Sequence, residues 1–368
     1  MDKEIISDRK AISIYIIFLS GTAIIYTRGI QAKQDIWIAC ILGLIMALPV
    51  ICMYIRIHNI FPNKNLFEIV EVCFGKIIGT IIILLYISYA YIIAAVILRE
   101  YLEFYVIITM QQTPGIVPAS IQAFLAAWLV KEGIEVIGRW SELFSYILIS
   151  FVFITIVLLL AGGDIDIKNL RPTLYLGIKP IIQGAFAVFS FPLTQVVVFI
   201  AIFSKLKTQN SYFKVYTVGT MVGFILIFLV FVANVAVLGS NISSDKYFTL
   251  TVTASRVDIG HFIQRMEIIA NTMFVLGGVL KLGIFTLLIC KGLSHVFGCI
   301  EYRFWVIPVT LHIINLNVFI FKDIMDMVQW LDEIIDYYHL FFHVIIPIII
   351  WIGCEIKHKR MIKNRINE

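Results

Sequence analysis

Ten long apolar runs set the terms for this chain: 11–28, 36–55, 78–98, 115–131, 140–161, 181–203, 214–239, 265–290, 304–321 and 338–354. The hydrocarbon core of a bilayer takes about 20 apolar residues of α-helix, with a range near 17–25. Within it every backbone N–H and C=O must be satisfied by the protein, and a helix does so inside one segment. Composition agrees: 60% of the residues are hydrophobic and 14% charged, whereas soluble domains carry about 25% charged residues. The expected fold class is all-α integral membrane, with ten transmembrane helices in a single polytopic domain over 1–368 and the lipid bilayer as its surroundings. The first run lacks a small-residue cleavage site after it and reads as a first span, not a signal peptide. The six cysteines, Cys40, Cys52, Cys73, Cys290, Cys299 and Cys354, form no CxxC pair and read as small buried hydrophobes.

An even number of spans leaves both termini on one side. Lys and Arg concentrate in the segments on that side, above all in the tail 355–368 with Lys357, Lys359, Arg360, Lys363 and Arg365. Both termini are therefore expected in the cytoplasm. Asn65 to Gly75 has apolar residues at helical spacing, with Glu68 and Glu71 on another side. It reads as an amphipathic helix at the cytoplasmic interface, or as a short extension of the third span. The stretch 162–180 reads as an outer loop. The middle of 241–264 reads as extended chain or a short interfacial helix. Asp323, Asp326, Asp332, Glu333 and Asp336 recur at three- and four-residue spacing. They predict a helix face in water, and no His or Cys cluster accompanies them to favour a metal.

Two runs are interrupted in the middle, the first by Ser20, Gly21 and Thr22 and the sixth by Ser190, Phe191 and Pro192. Broken apolar segments at corresponding places in two halves point to a transporter-type binding site near the bilayer midplane. Division after the fifth run gives five spans per half, 1–161 and 181–354. An odd number per half makes the second half enter from the opposite side, an inverted repeat with broken helices 1 and 6.

Several polar residues lie inside these runs. Gly21 allows unwinding beside a cavity, with Thr22 next to it, or close packing of another helix. Pro192 frees the carbonyl of Val188, and the hydroxyls of Ser190 and Thr194 can satisfy local groups or a ligand. Tyr86, Tyr89 and Ile93 share a face of the third span. Tyr89, halfway along, lines a cavity or bonds a neighbouring helix. Lys281 sits midway along the eighth span, among Gly277, Gly278 and Gly283. A lysine at that depth faces the bundle interior, loses its proton or snorkels to an interface. No acid is evident at matching depth, so carbonyls freed at Gly21 are its expected partners. Arg99, Glu100 and Glu103 close the third span, and Arg139 with Glu142 is expected as an ion pair. Asn234, Asn271, His312 and Asn315 are expected in interhelical hydrogen bonds. No phosphate loop, zinc spacing or nucleophile motif is present, so no enzyme activity, cofactor, metal site or nucleic-acid partner is expected.

Longer stretches carry a resemblance: ISDRKA (6–11), AKQDIWIA (32–39), FPNKNLFEIVEVCFGKIIG (61–79), LREYLEF (98–104), KEGIEVIGRWSEL (131–143), DIDIKNLRPTL (164–174) and HFIQRMEII (261–269). In this order and spacing the chain resembles the B subunit of the nutrient germinant receptors of bacterial spores. That is a branch of the amino acid–polyamine–organocation transporter superfamily. The resemblance implies a ten-span LeuT-like fold in the spore inner membrane. It implies two partners, a larger A subunit and a lipoprotein C subunit, and a small nutrient ligand such as an amino acid. The ligand would lie between spans one, three, six and eight, at Gly21, Thr22, Tyr89, Ile93, Ser190, Phe191, Gly277 and Lys281. Gln195 stands where many members have glutamate, and Lys281 where a neutral residue is common. Both departures favour a carboxylate-bearing ligand. The expected function is a nutrient sensor that signals to partner subunits. The alternatives are a secondary amino acid transporter coupled to protons or sodium, and an ion-conducting scaffold without a pocket.

Overall fold

Helices make up nearly all of the computed structural model, which describes residues 6–203, 206, 211–260, 264–299 and 301–367. In chain order they are α1 Asp8–Ser20, α2 Ile36–Ile60, α3 Leu66–Phe104, α4 Ile116–Glu132, α5 Ile134–Gly162, α6 Ile178–Val188 and α7 Val198–Ile202. The second half has α8 Ser211–Asp245, α9 Thr249–Ala254, α10 Met266–Phe297, α11 Val306–Phe319, α12 Ile324–Glu333, α13 Ile335–Leu340 and α14 Ile346–Asn367. The protein is an all-α multi-span integral membrane protein. Its outer faces carry apolar side chains such as Ile77, Trp128 and Phe153, which suit hydrocarbon rather than water.

Among the described residues, seven helices are long and apolar enough to cross a membrane, or eight if the pair Tyr302–Phe319 and Ile324–Glu333, bent by 99°, counts as one. Ten uninterrupted spans are thus not found among the described residues. The reasons are local. α1 stops after 13 residues at Gly21, α4 has 17 residues, and α11 has 14 before the chain turns into α12.

The start of α3 shows how short-range chemistry sets an element. Asn65 Oδ1 accepts the Glu68 N–H at 2.9 Å, and Glu68 Oε2 accepts the Asn65 N–H at 3.0 Å. This reciprocal cap satisfies two end donors. Gly75, at φ 78° and ψ 175°, then breaks the helix. Residues 66–74 therefore form a separate piece, with Leu66, Phe67, Ile69 and Val70 buried and Glu71 bonded to His295 Nε2 at 2.9 Å.

The inner bundle packs α1 against α8 and α5, and α10 against α3 and α4. α1 and α10 cross at two glycines. A Cβ on Gly277 would lie 2.6 Å from the Gly21 carbonyl oxygen. Gly278 is covered by the ring of Tyr101, whereas Gly283 has only ordinary neighbours. Such contacts do in lipid what apolar burial does in water.

Several expected pairings fall elsewhere. Arg139 pairs with Glu135 at 2.9 Å and Glu142 with Arg9 at 2.6 Å, because the start of α1 lies beside the start of α5. Asn234 donates to Thr27 Oγ1 at 3.0 Å, and Asn271 accepts from Thr251 at 2.7 Å. His312 instead faces the Tyr91 ring. Asn315 is exposed and Asn317 is buried in its place. The 241–264 connection contains the short helix α9. The cysteines are free, with the Cys73 and Cys354 sulfurs 3.7 Å apart.

Candidate functional site

Both interrupted runs are broken in space as well as in sequence. α1 ends when the Gly21 N–H bonds the Ile17 carbonyl at 2.8 Å. One tight turn, Ala23–Ile25, follows, and Tyr26 leaves it in extended conformation. In the sixth run α6 ends at Val188, and Phe191 is extended at φ −141° and ψ 126°. Pro192 has no N–H to continue the ladder. Thr194 serves the next two carbonyls: its Oγ1 lies 3.1 Å from the Phe189 and Ser190 oxygens, and its N–H donates to that of Phe189 at 3.1 Å.

A cavity of about 380 Å³ lies between the two breaks, α3, α10, the α8–α9 turn and α12–α13. Of the residues singled out from the sequence, Thr22, Ile93, Phe191 and Lys281 line it. Lys281, 1% exposed, donates to Thr22 Oγ1 at 3.1 Å. Its Nζ stands 4.4 Å from the centroid of the Phe191 ring and 5.1 Å from that of Phe18. Ring faces attract a cation electrostatically. Its polar partner is thus a hydroxyl and not a carbonyl freed at Gly21.

The other four residues do not line the cavity. Gly21 and Gly277 are pressed against each other. The Tyr89 hydroxyl is 2.6 Å from His343 Nε2. Ser190 donates to the carboxylate of Asp336, which also accepts from Arg28 Nη2 at 2.7 Å. Arg28 Nη1 donates further to the Leu331 carbonyl at 3.2 Å. One carboxylate thereby ties the chain after α1 to α13 and to the break after α6.

An acid does stand with Lys281, contrary to the sequence reading: Glu100 lines the same cavity, and the Tyr247 hydroxyl donates to it at 3.4 Å. The full charged lining is Arg28, Lys246 and Lys281 against Glu100, Asp245 and Asp332. The acidic stretch 321–338 is only partly a face in water. Met327 and Leu331 are buried, and Ile324, Val328, Leu331 and Asp332 wall the cavity. Four buried polar atoms on cavity-lining residues have no hydrogen-bond partner among the described residues: Arg28 Nε, Gln195 Oε1, and Nδ1 and Nε2 of His339. A buried donor or acceptor left unpaired costs about 1–3 kcal/mol.

The sequence resembles known proteins over its whole length. Residues 5–327 match the family described as spore germination protein. The chain belongs to the spore germination protein family. Within it, spore germination protein KB of Bacillus subtilis (strain 168) is 27% identical over 370 residues, covering 100% of this chain and 99% of that protein. The putative spore germination protein YfkT of the same organism is 23% identical over 274 residues, covering 74% of each. Among solved structures, Mhp1, a nucleobase-cation-symport-1 family transporter closed around bromovinylhydantoin, superposes with a TM-score of 0.67 at 14% identity. That match covers 91% of this chain and 75% of Mhp1. MhsT in complex with L-phenylalanine superposes with a TM-score of 0.62 at 14% identity, covering 93% and 87%. This spore germination protein thus has the fold of LeuT-type transporters.

Tyr26, Arg28, Glu100 and His339 are among the cavity residues that escaped the sequence reading as site residues. Arg28 and Tyr26 follow the first break closely, and His339 with His343 forms an i, i+4 pair in the last run. Each had a local signal. What it lacked was a direction, since helix rotation decides whether Glu100 or Glu103 looks inward.

Proposed function

We propose that this spore germination protein binds a small zwitterionic nutrient, an amino acid in the first instance, in the cavity between its two broken helices. The observation that carries the reading is one charge-balanced cavity whose lining residues include four polar atoms without a hydrogen-bond partner among the described residues. Lys281 and Arg28 suit a carboxylate, Glu100 suits an ammonium, and Ile93, Phe191 and Ile97 suit an apolar side chain. The balance of charges argues for both ends of a zwitterion, where the sequence alone argued only for the carboxylate.

The transporter fold favours a secondary transporter, coupled to protons or sodium, as the way this binding is used. Such a carrier works with two inverted five-segment halves, 1–161 and 181–354. The breaks at Gly21 and Pro192, in corresponding places, support that division, with α1 and α4 as interrupted or short crossings. A second reading is favoured by family membership. In it the chain is the nutrient-sensing subunit of a germinant receptor in the spore inner membrane, with termini in the cytoplasm. An A subunit and a C lipoprotein would be its partners, and the ligand would act by binding one conformation better than another.

The test is the purified full-length protein in sealed vesicles with radiolabelled amino acids. Saturable binding lost in Lys281→Met supports the site. Accumulation above the outside concentration, driven by a proton or sodium gradient, supports the carrier. Binding without accumulation supports the sensor, and no saturable binding of any amino acid overturns the ligand class.

A further inference from the structure

A second cavity lies outside the site between the breaks. It has a volume of about 650 Å³ and is walled by the last turns of α3 and the residues after it, by α4, α9 and the first turns of α10. Its body is apolar: Phe104, Ile108, Val275, Leu276 and Val279. Two of its polar atoms are buried and unpartnered among the described residues, Gln122 Nε2 and Glu267 Oε2. Gln122 is 1% exposed, and its Oε1 accepts the Tyr105 hydroxyl at 2.7 Å. The amide is held by one end and its two N–H donors are left over. Arg265 lines the same cavity from the exposed residue before α10.

The mouth of the cavity says where its occupant comes from. Met110, Ile121, Leu125 and Ile268 line it and are 46%, 57%, 45% and 54% exposed. In a membrane-spanning bundle such side chains face acyl chains, so the cavity opens to lipid.

We propose that this cavity is a binding site for a phospholipid with a primary-amine headgroup, phosphatidylethanolamine in chemical terms. One cation and one anion, Arg265 and Glu267, suit a zwitterionic headgroup rather than an anionic one. The Arg265 guanidinium faces the phosphodiester, and the Gln122 amide donates to a phosphate or ester oxygen. Glu267 Oε2 accepts from the ammonium. That last contact sets the specificity, because a primary ammonium offers N–H donors and a choline headgroup offers none. The acyl chains leave between Ile121 and Ile268. A lipid here would brace α4 against the entry of α10, the helix that carries Lys281. The inference stands on this cavity alone and does not depend on what binds between the broken helices.

The experiment is native mass spectrometry of the full-length protein, delipidated and then exposed to phosphatidylethanolamine, phosphatidylcholine or phosphatidylglycerol of matched acyl chains. Wild type should retain phosphatidylethanolamine at least about tenfold better than phosphatidylcholine, as expected for one hydrogen bond to a charged group. Glu267→Gln, which leaves only a neutral acceptor, should reduce that preference, while Ile77→Ala, exposed near the opposite end of α3 from Phe104, should keep it. If Glu267→Gln does not fold, stepwise N-methylation of the headgroup on wild type reads the same contact, with retention falling as N–H donors are lost. Equal retention of the ethanolamine and choline lipids by wild type would overturn the proposal. So would displacement of the lipid by the soluble headgroup glycerophosphoethanolamine at equal concentration, which would make the cavity a site for a free metabolite.

Discussion

Lys281 holds its ammonium against two aromatic rings and one hydroxyl, with a carboxylate across the same cavity. None of those contacts is a carboxylate, so Nζ has donors left over for the proposed ligand. Lys281→Met should weaken amino acid binding by about tenfold or more, the worth of a charged hydrogen bond. Tyr89→Phe is the contrasting case. Its hydroxyl is committed to His343 and its residue is fully buried. The expected outcome is unchanged affinity with a loss of about 1 kcal/mol of stability. A binding isotherm and a thermal melt on both variants separate the two roles. A large affinity loss in Tyr89→Phe would count against assigning that residue to packing.

At the scale of elements, α12 and α13 wall the cavity, and one carboxylate ties α13 to both breaks. Asp336 holds Arg28 after the first break and Ser190 at the second. Removing its charge should loosen all three segments together. In a background without other accessible thiols, Thr22→Cys placed in the lining should react with a water-soluble maleimide faster when Asp336→Asn is added. An unchanged rate would mean that the lid is held by the apolar contacts of Met327, Leu331 and Ile335 with Val96 and Phe321 instead. The same element scale explains the shorter count of spanning helices. A broken helix cannot also be long and uninterrupted, and α1 stops at Gly21, just before Thr22 and Tyr26 reach the cavity.

For the molecule as a whole, the basic tail carries a prediction about orientation. A cysteine at Lys359, in a cysteine-free background, should be labelled by an impermeant reagent only after the vesicle or cell is opened. Labelling of intact cells would invert the assignment and would turn the mouth of the charge-balanced cavity toward the cytoplasm. In the proposed function the orientation matters, because a nutrient arriving from outside would have to reach that mouth first.

Membrane residence and the positions of both breaks were legible in the sequence, because both depend on local chemistry. Apolar length decides insertion, and Gly21 and Pro192 act within a few residues of themselves. The capping pair Asn65 and Glu68 and the break at Gly75 are of the same local kind. The composition of the site was legible only in part. Thr22, Ile93, Phe191 and Lys281 meet at the cavity, but Gly21 and Gly277 face each other, and Tyr89 and Ser190 face His343 and Asp336. Those choices depend on how each helix is rotated about its axis and on pairings between distant segments. Arg28 meets Asp336 because the ends of the chain fold together, and Glu100 rather than Glu103 reaches the cavity because α3 is turned that way against α10. Near-neighbour forces determine where a helix runs and stops. Only the packing of whole helices decides which of its polar residues are left facing a ligand.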